Sequence, residues 1–524
     1  MEDSGDPRPG AFCERGRSMK ERQASFLGGT LLLTGTGLLG QVLGFLYRIF
    51  LSRLVGAEVM GLYQLVLPVQ SVLLSVTAIG LTAAVSNLSS EYRALGQEGI
   101  MGAVLRRCLA VFIGLFVVAA VVVGLGSDAI SVYLLGDART RLALLVLLPC
   151  LLLTGVENLH KHYFYGGGTV GLPAAVEVLE QFIRTGAVLG LLVLFLPQNE
   201  ERTVGLIALG MTICEVFSAC TLVLSYRRRT AAVPRVSAPP GLGRRIASIA
   251  LPVGATAVLG NLMGAATAVL VPQRLVAGGV DVSDAMASFG ILCGMTLPML
   301  AMPTAFIGAM ALVLVPRLAR ETALGRQKQV HGLIHRALLS TSVLILPAMS
   351  LLVVVGPTLG RLLYREERAG DFLLPLSIAM AFSCYQAVLS GVLNGVGQQR
   401  FSARNALISG GVQTLGTFWL MSLPGWGLKG YVASCLLSAA VGAGLNWVRV
   451  QRSLKMKPRL FQWCAAPGLA ALLTGLCARL LFRVLLDAGF SPPLSVLFTL
   501  LFGVVLYLAA LFAQGVGRSS FSDD

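Results

Sequence analysis

The sequence predicts an all-α polytopic membrane protein of about 14 transmembrane helices. Three observations predict it. The chain is 55% hydrophobic and only 13% charged. Its mean hydropathy is +0.78. Fourteen apolar stretches, each near the roughly 20 residues that a bilayer core of about 30 Å requires, follow one another with short polar connections. The spans are read as 26–47, 59–85, 102–124, 141–156, 172–196, 204–226, 246–271, 285–313, 333–355, 372–393, 403–422, 428–448, 463–484 and 493–514. The second and eighth contain internal prolines, Pro68 and Pro298 with Pro303. Proline is tolerated where neighbouring helices satisfy the freed carbonyls, and such helices often bend.

The charge distribution predicts orientation. With a cytoplasmic N-terminus, the inner segments carry 28 of the 41 Lys/Arg, the outer segments 12, and Arg184 lies within a span. The inner set includes Arg15, Arg17, Lys20 and Arg22, then Arg227–Arg229, Arg235, Arg244 and Arg245. It continues with Arg317, Arg320, Arg326, Lys328 and Arg336, and ends with Arg449, Arg452, Lys455, Lys457 and Arg459. That bias is the positive-inside pattern and puts both termini in the cytoplasm. The net charge of +16 is therefore read as topology and contact with membrane lipids, not nucleic-acid binding. The first span is too long for a signal core and reads as a retained anchor. The ten cysteines form no C-x-x-C or Cys/His cluster, so neither a metal nor a disulfide framework is expected.

The second half echoes the first. Ser52–Ala57 is matched by Gln273–Gly278. Glu91–Gly96 is matched by Arg320–Gly325, and Gly166–Gly168 by Gly395–Gly397, these two at one common offset. The matches are colinear, and an offset of six helices preserves orientation, which implies a parallel repeat. The expected organisation is a basic tail 1–25, a lobe 26–226, a linker 227–245, a second lobe 246–450, and an appendage 451–524 with the last two helices. Two six-helix lobes would enclose a cleft.

Ionisable groups inside a membrane are costly and mark candidate sites. Glu177, Glu180 and Arg184 share one face of the fifth span, and Glu180 and Arg184 are spaced to pair. They read either as a polar cleft wall, with a proton or cation site, or as a structural ion pair. Glu215 sits alone in the sixth span and must find a partner or a proton; it is the candidate for coupling. Glu157, Asn158 and Lys161, with His160 and His162, cluster at the inner end of the fourth span and are candidates for a cytoplasmic gate. Arg48 and Arg53 lie near the outer end of the first span, and Arg274 is the repeat mate of Arg53. An arginine at the mouth of a cleft can hold phosphate bidentately or simply snorkel to the interface. Asn261 is a neutral candidate for the cleft lining. Gly40 and Gly44 permit either close helix packing or bending. No Walker A, H-E-x-x-H or G-x-S-x-G motif occurs, so a non-enzymatic protein without a cofactor is expected.

The run Leu43–Gly56 with Gly61-Leu62-Tyr63 resembles the start of polysaccharide transporters, as does Tyr163 with Gly166-Gly167. Phe289–Pro298, followed by Pro303-Thr304 and Val315-Pro316, resembles the eighth helix of the stage V sporulation protein B group. The likeness covers about residues 22–450. It is to the multidrug/oligosaccharidyl-lipid/polysaccharide (MOP) exporter superfamily. The resemblance implies two six-helix lobes, alternating access and export of undecaprenyl-linked sugars across the bacterial cell membrane. Lipid II flippases are related; their first-helix cavity arginine matches Arg53. Their cavity arginines of the second and eighth helices have no match here: no arginine lies between Gly56 and Tyr92, and Pro298 stands five residues before Pro303. The drug-extruding branch has a first-helix aspartate, and this first span has no acid. The expected substrate is thus a peptidoglycan precursor or related polysaccharide unit held at Arg53 and Arg274. Two rivals are carried: a cation-coupled drug or solute exporter, and a non-transporting scaffold partnered with an envelope synthase.

Overall fold

The computed structural model describes residues 10–195, 197–231, 233–234, 236–456 and 461–514, with side chains from residue 32 apart from those of 309 and 312. Arg235, Lys457 and Arg459, and the side chains of Arg15, Arg17, Lys20 and Arg22, lie outside the described residues. So do the first nine residues of the expected tail and the last ten of the appendage.

Every regular element among the described residues is helical, as lipid demands of backbone groups that find no water. The first half comprises α1 (Gly10–Leu74), α2 (Gly80–Ala94), α3 (Glu98–Ala129), α4 (Arg141–Gly166), α5 (Gly171–Phe195) and α6 (Glu200–Thr230). The second comprises α7 (Leu242–Ala277), α8 (Val282–Phe289), α9 (Leu297–Ala301), α10 (Ala305–Ala323) and α11 (Gln327–Tyr364). It continues through α12 (Leu373–Gly395), α13 (Gln399–Leu420) and α14 (Leu428–Leu454), and α15 (Ala466–Asp487) and α16 (Pro492–Ala513) close the chain.

Among the described residues, twelve helical stretches are long and apolar enough to cross a membrane. The first, Leu32–Ala94, has 63 residues. At 1.5 Å per residue it would run about 95 Å, three bilayer cores, if it were straight. It is not: Gly56 has φ 80° and ψ 178°, a conformation that only glycine adopts readily. The break separates the expected first and second spans. The expected eleventh span is α13, which is too polar to count among the twelve. Several of its polar residues are turned onto α14: Asn405 Nδ2 donates to Asn446 Oδ1 at 3.0 Å, and Thr417 and Ser434 share a hydrogen bond at 2.9 Å. Such bonds hold membrane helices together where hydrophobicity cannot. The expected eighth span is interrupted at Met302–Thr304, where Pro303 removes a donor, so it is built from α8, a π-helical stretch Gly290–Thr296, α9 and α10.

The repeat is visible in local geometry. Left-handed residues fall at Gly96 and Gly325, Gly136 and Arg365, and Gly168 and Gly397, every pair at the same separation along the chain. The turns agree too: Asp137 accepts from the Arg139 amide, and at the equivalent position Glu366 accepts from the Arg368 amide. In the first half α4 packs on α2, α3 and α6, and α5 on α6; in the second, α12 packs on α10, α11 and α14, and α13 on α14. α15 and α16 lean on α11.

The halves meet through α1 and α2 against α7 and the α8–α10 stretch. At the end near Gly56 the approach is backbone to backbone. A Cβ at Gly61 would lie 2.1 Å from the Met286 carbonyl oxygen, and one at Gly290 would lie 2.0 Å from that of Ala57. At the opposite, basic end Arg245 of α7 pairs with Glu91 at 2.7 Å and bonds the Tyr92 hydroxyl at 2.9 Å. Gly35, Gly37, Gly40 and Gly44 have nothing within 4 Å of a built Cβ, so the Gly40/Gly44 step packs against no helix in this conformation.

Candidate functional site

The sequence-predicted residues on α5 and α6 converge, and α4 joins them. The Arg184 guanidinium bonds the Glu180 carboxylate one turn back, donates to Cys214 Sγ at 3.4 Å, and stands 3.6 Å from Glu215 Oε1. Ser218 Oγ donates to the second Glu180 oxygen at 3.1 Å. Lys161 of α4 stands 3.1 Å from Glu157 and 4.0 Å from Glu177. Glu157 is an electrostatic neighbour of both Glu180 and Glu215, so the two groups form one cluster. Glu157, Glu180 and Glu215 are 3%, 5% and 4% exposed. Glu177 is the exposed member.

The candidate gate residues Glu157 and Lys161 thus belong to the same cluster as the residues of α5 and α6. The helix runs ten residues past the expected boundary at 156, to Gly166, so Glu157 is buried inside the first half and Lys161 half-buried beside it. Asn158 is half-buried, and its backbone carbonyl contacts His162 Nδ1 at 2.8 Å. The i,i+4 spacing of Glu157 and Lys161 was the available signal for a paired rather than interfacial role.

Four carboxylates face two cations here. Oε2 of Glu215 has no hydrogen-bond partner among the described residues. Ligand atoms of Glu180, Cys214 and Glu215 lie within 4.8 Å of one another. Arg184 touches all three, however, so its guanidinium fills the place that a bound cation would take.

The arginines of the expected phosphate site engage different partners. Arg53 donates its Nε to the Leu363 carbonyl at 2.5 Å and an Nη to that of Leu362, capping the last turn of α11 across the two halves. Arg274 stacks on the Phe418 ring, its guanidinium carbon 3.7 Å from the centroid. Arg48 differs. It is half-buried, has no ion pair or hydrogen bond to a described residue, and lies within electrostatic reach of Tyr63, Cys293 and Tyr364. Those neighbours come from both halves, so Arg48 is an uncompensated cation between them. Its position five residues before Arg53 carried no sign in the sequence that only Arg53 would be engaged. Asn261 of α7 also bridges the halves, donating to the Ser71 carbonyl at 3.3 Å.

The second half holds no such charged cluster among its described residues. Between α7, the π-helical stretch, α12, α13 and α14 lies a cavity of about 460 Å³ whose lining contains no charged residue.

Together these features define a duplicated, all-helical, multi-pass membrane protein, with a buried charged cluster in one half and a neutral cavity in the other. The chain belongs to the polysaccharide biosynthesis protein family, whose model matches residues 26–322. It is 23% identical to stage V sporulation protein B of Bacillus subtilis (strain 168) over 449 residues, covering 84% of this chain and 86% of that protein. It is 24% identical to the lipid II flippase MurJ of the same strain, covering 74% and 75%. Among solved structures it is similar to the inward closed conformation of the lipid II flippase MurJ, with a TM-score of 0.69 and 13% identity, covering 93% of this chain and 100% of that one. An inward-facing multidrug resistance MATE family transporter of the MOP superfamily matches with a TM-score of 0.61 and 15% identity, covering 81% and 99%. The fold is that of this superfamily.

Proposed function

We propose that the protein is a flippase that carries a lipid-linked oligosaccharide across the bacterial cell membrane by alternating access between two six-helix lobes. The substrate would be an undecaprenyl-type peptidoglycan precursor or polysaccharide unit for the envelope or spore cortex. Both termini would be cytoplasmic. The observation that carries the reading is Arg48, a half-buried arginine between the halves without a carboxylate partner. A bare guanidinium there is costly unless its function is to meet an anion. A sugar diphosphate cannot cross hydrocarbon with its charges unsolvated, whereas the polyprenyl tail can stay in lipid. The names of the family and of the curated relatives support this substrate class.

Arg53 is occupied by the carbonyls of Leu362 and Leu363 in this conformation. Separation of the halves at that end would release it, so phosphate would pass from Arg48 to Arg53, with Arg274 beyond. The first-half cluster would supply coupling: its carboxylates outnumber its cations, and Glu215 would exchange the proton. The test is transbilayer movement of a fluorescent polyprenyl-diphosphate sugar in liposomes holding the purified protein. Movement should be lost in Arg48→Ala at normal reconstitution. In Glu215→Gln it should stop responding to an imposed pH gradient. No movement by the wild type, or full movement by Arg48→Ala, overturns the reading.

A further inference from the structure

We infer that the neutral cavity of the second half is the subsite for the uncharged sugar portion of the transported lipid, beside the phosphate at Arg48. This rests on the flippase reading above and assigns a part of the substrate to a place. The cavity, at about 460 Å³, lies within the ~300–1,000 Å³ of small-molecule sites. Its wall combines Phe289 and Tyr431 with the amides of Gln386 and Gln413. Ring faces beside amides suit a sugar, which offers C–H faces and hydroxyl edges at once.

The amides are available. The Gln386 side chain forms no hydrogen bond with a described residue, and the bare Cα of Gly442 makes room for it; a Cβ there would lie 2.4 Å from the amide. Gln413 donates to Cys435 Sγ at 3.1 Å and to Ser434 Oγ at 3.4 Å, and its side-chain carbonyl accepts nothing from the described residues. A hydrocarbon tail in this space would leave the Gln386 amide and the Gln413 side-chain carbonyl unpaired in a dry site, which is unfavourable. A charged ligand would find no counter-charge in the lining. An uncharged hydroxylated group meets neither objection. Cys293 lines the cavity and lies within electrostatic reach of Arg48, which places the cavity on the side of the second half that faces the free arginine.

The test compares two probes of equal charge: a polyprenyl diphosphate carrying a neutral disaccharide, and the same diphosphate capped with a methyl group. Binding to the full chain in nanodiscs is measured for the wild type, Arg48→Ala and the double variant Gln386→Leu with Gln413→Leu. The wild type should bind the glycosylated probe at least tenfold more tightly. Arg48→Ala should weaken both probes alike. The double variant should lose the tenfold preference and keep its affinity for the capped probe. As a measurement free of folding effects, maleimide labelling of wild-type Cys293 and Cys435 should be slowed by the glycosylated probe only. Equal wild-type affinities, or equal protection by the capped probe, would place the tail or nothing in the cavity and overturn the inference. If neither probe binds the wild type, the flippase reading itself fails and this one with it.

Discussion

Replacing Arg184 by methionine keeps its length and removes its charge, which isolates what the guanidinium does in the first-half cluster. The side chain bonds Glu180, donates to Cys214 at 3.4 Å and stands 3.6 Å from Glu215. Its loss strands two carboxylates with side-chain exposures of 7% and 6%. Breaking a buried pair from one side costs about 3–5 kcal/mol. The guanidinium is itself 21% exposed, and that contact with solvent lowers the expected loss to about 2–4 kcal/mol. The triple variant Arg184→Met, Glu180→Gln, Glu215→Gln removes the stranded charges as well, and should recover at least half of the loss. Unfolding of the purified protein by SDS titration in mixed micelles reads both, alongside transport in liposomes. A stable but transport-dead triple variant assigns the cluster to coupling. If Arg184→Met is no less stable than the wild type, as for an ordinary surface change, the cluster is hydrated and the reasoning from burial is wrong.

Other consequences are as direct. Arg53→Ala should reach normal membrane levels yet lose most transport, with Arg53→Lys restoring only part because an ammonium lacks the planar fork; full complementation by Arg53→Ala would make it an interfacial anchor. Gly290→Val should prevent closure near Gly56, since even its Cβ would lie 2.0 Å from the Ala57 carbonyl oxygen. Cysteine pairs engineered across that end should then cross-link at least tenfold more slowly, and unchanged cross-linking would show that the helices separate freely. Reporters that fluoresce only in the cytoplasm should light up in the Arg227–Arg245 connection and at the C-terminus, as the Lys/Arg bias requires; a dark connection refutes the orientation.

Much of the fold was legible because lipid makes hydropathy a direct reading of helix placement. The repeat was legible through its turns, where Gly96/Gly325 and Gly168/Gly397 serve the same backbone need in both halves. The third equivalent pair, Gly136 and Arg365, was not, because an arginine took the left-handed position and hid the correspondence. The polar character of α13 was compatible with either cleft lining or helix pairing, and only the contact of Asn405 with Asn446 distinguishes them. At the site, the Glu180–Arg184 pair followed from spacing within one helix. The union of Glu157 with Glu215 did not, because it depends on how α4 and α6 pack, which no periodicity encodes. The different fates of Arg48 and Arg53 likewise depend on where the end of α11 falls.

Duplication copied the backbone of this protein but not its chemistry. Equivalent turns bound both halves, yet the buried acids and their two cations belong to α4–α6, and the matching interior of the second half is a cavity lined without charge. A symmetric pair of charged halves would repel or neutralise one another across a shared cleft; a symmetric pair of neutral ones could not respond to a proton. On the proposed flippase reading, the asymmetry would let one half change charge while the other offers an environment that stays constant through the cycle. The contact between them suits such a cycle. Near Gly56 the backbones approach directly, at Gly61–Met286 and Gly290–Ala57, beside the Arg53 cap and a shared apolar core that includes Met60, Leu62, Met286 and Phe289. On the proposed reading, parting these surfaces would break few polar bonds and free Arg53, so the motion that opens this end would also present a second guanidinium to an anion at Arg48.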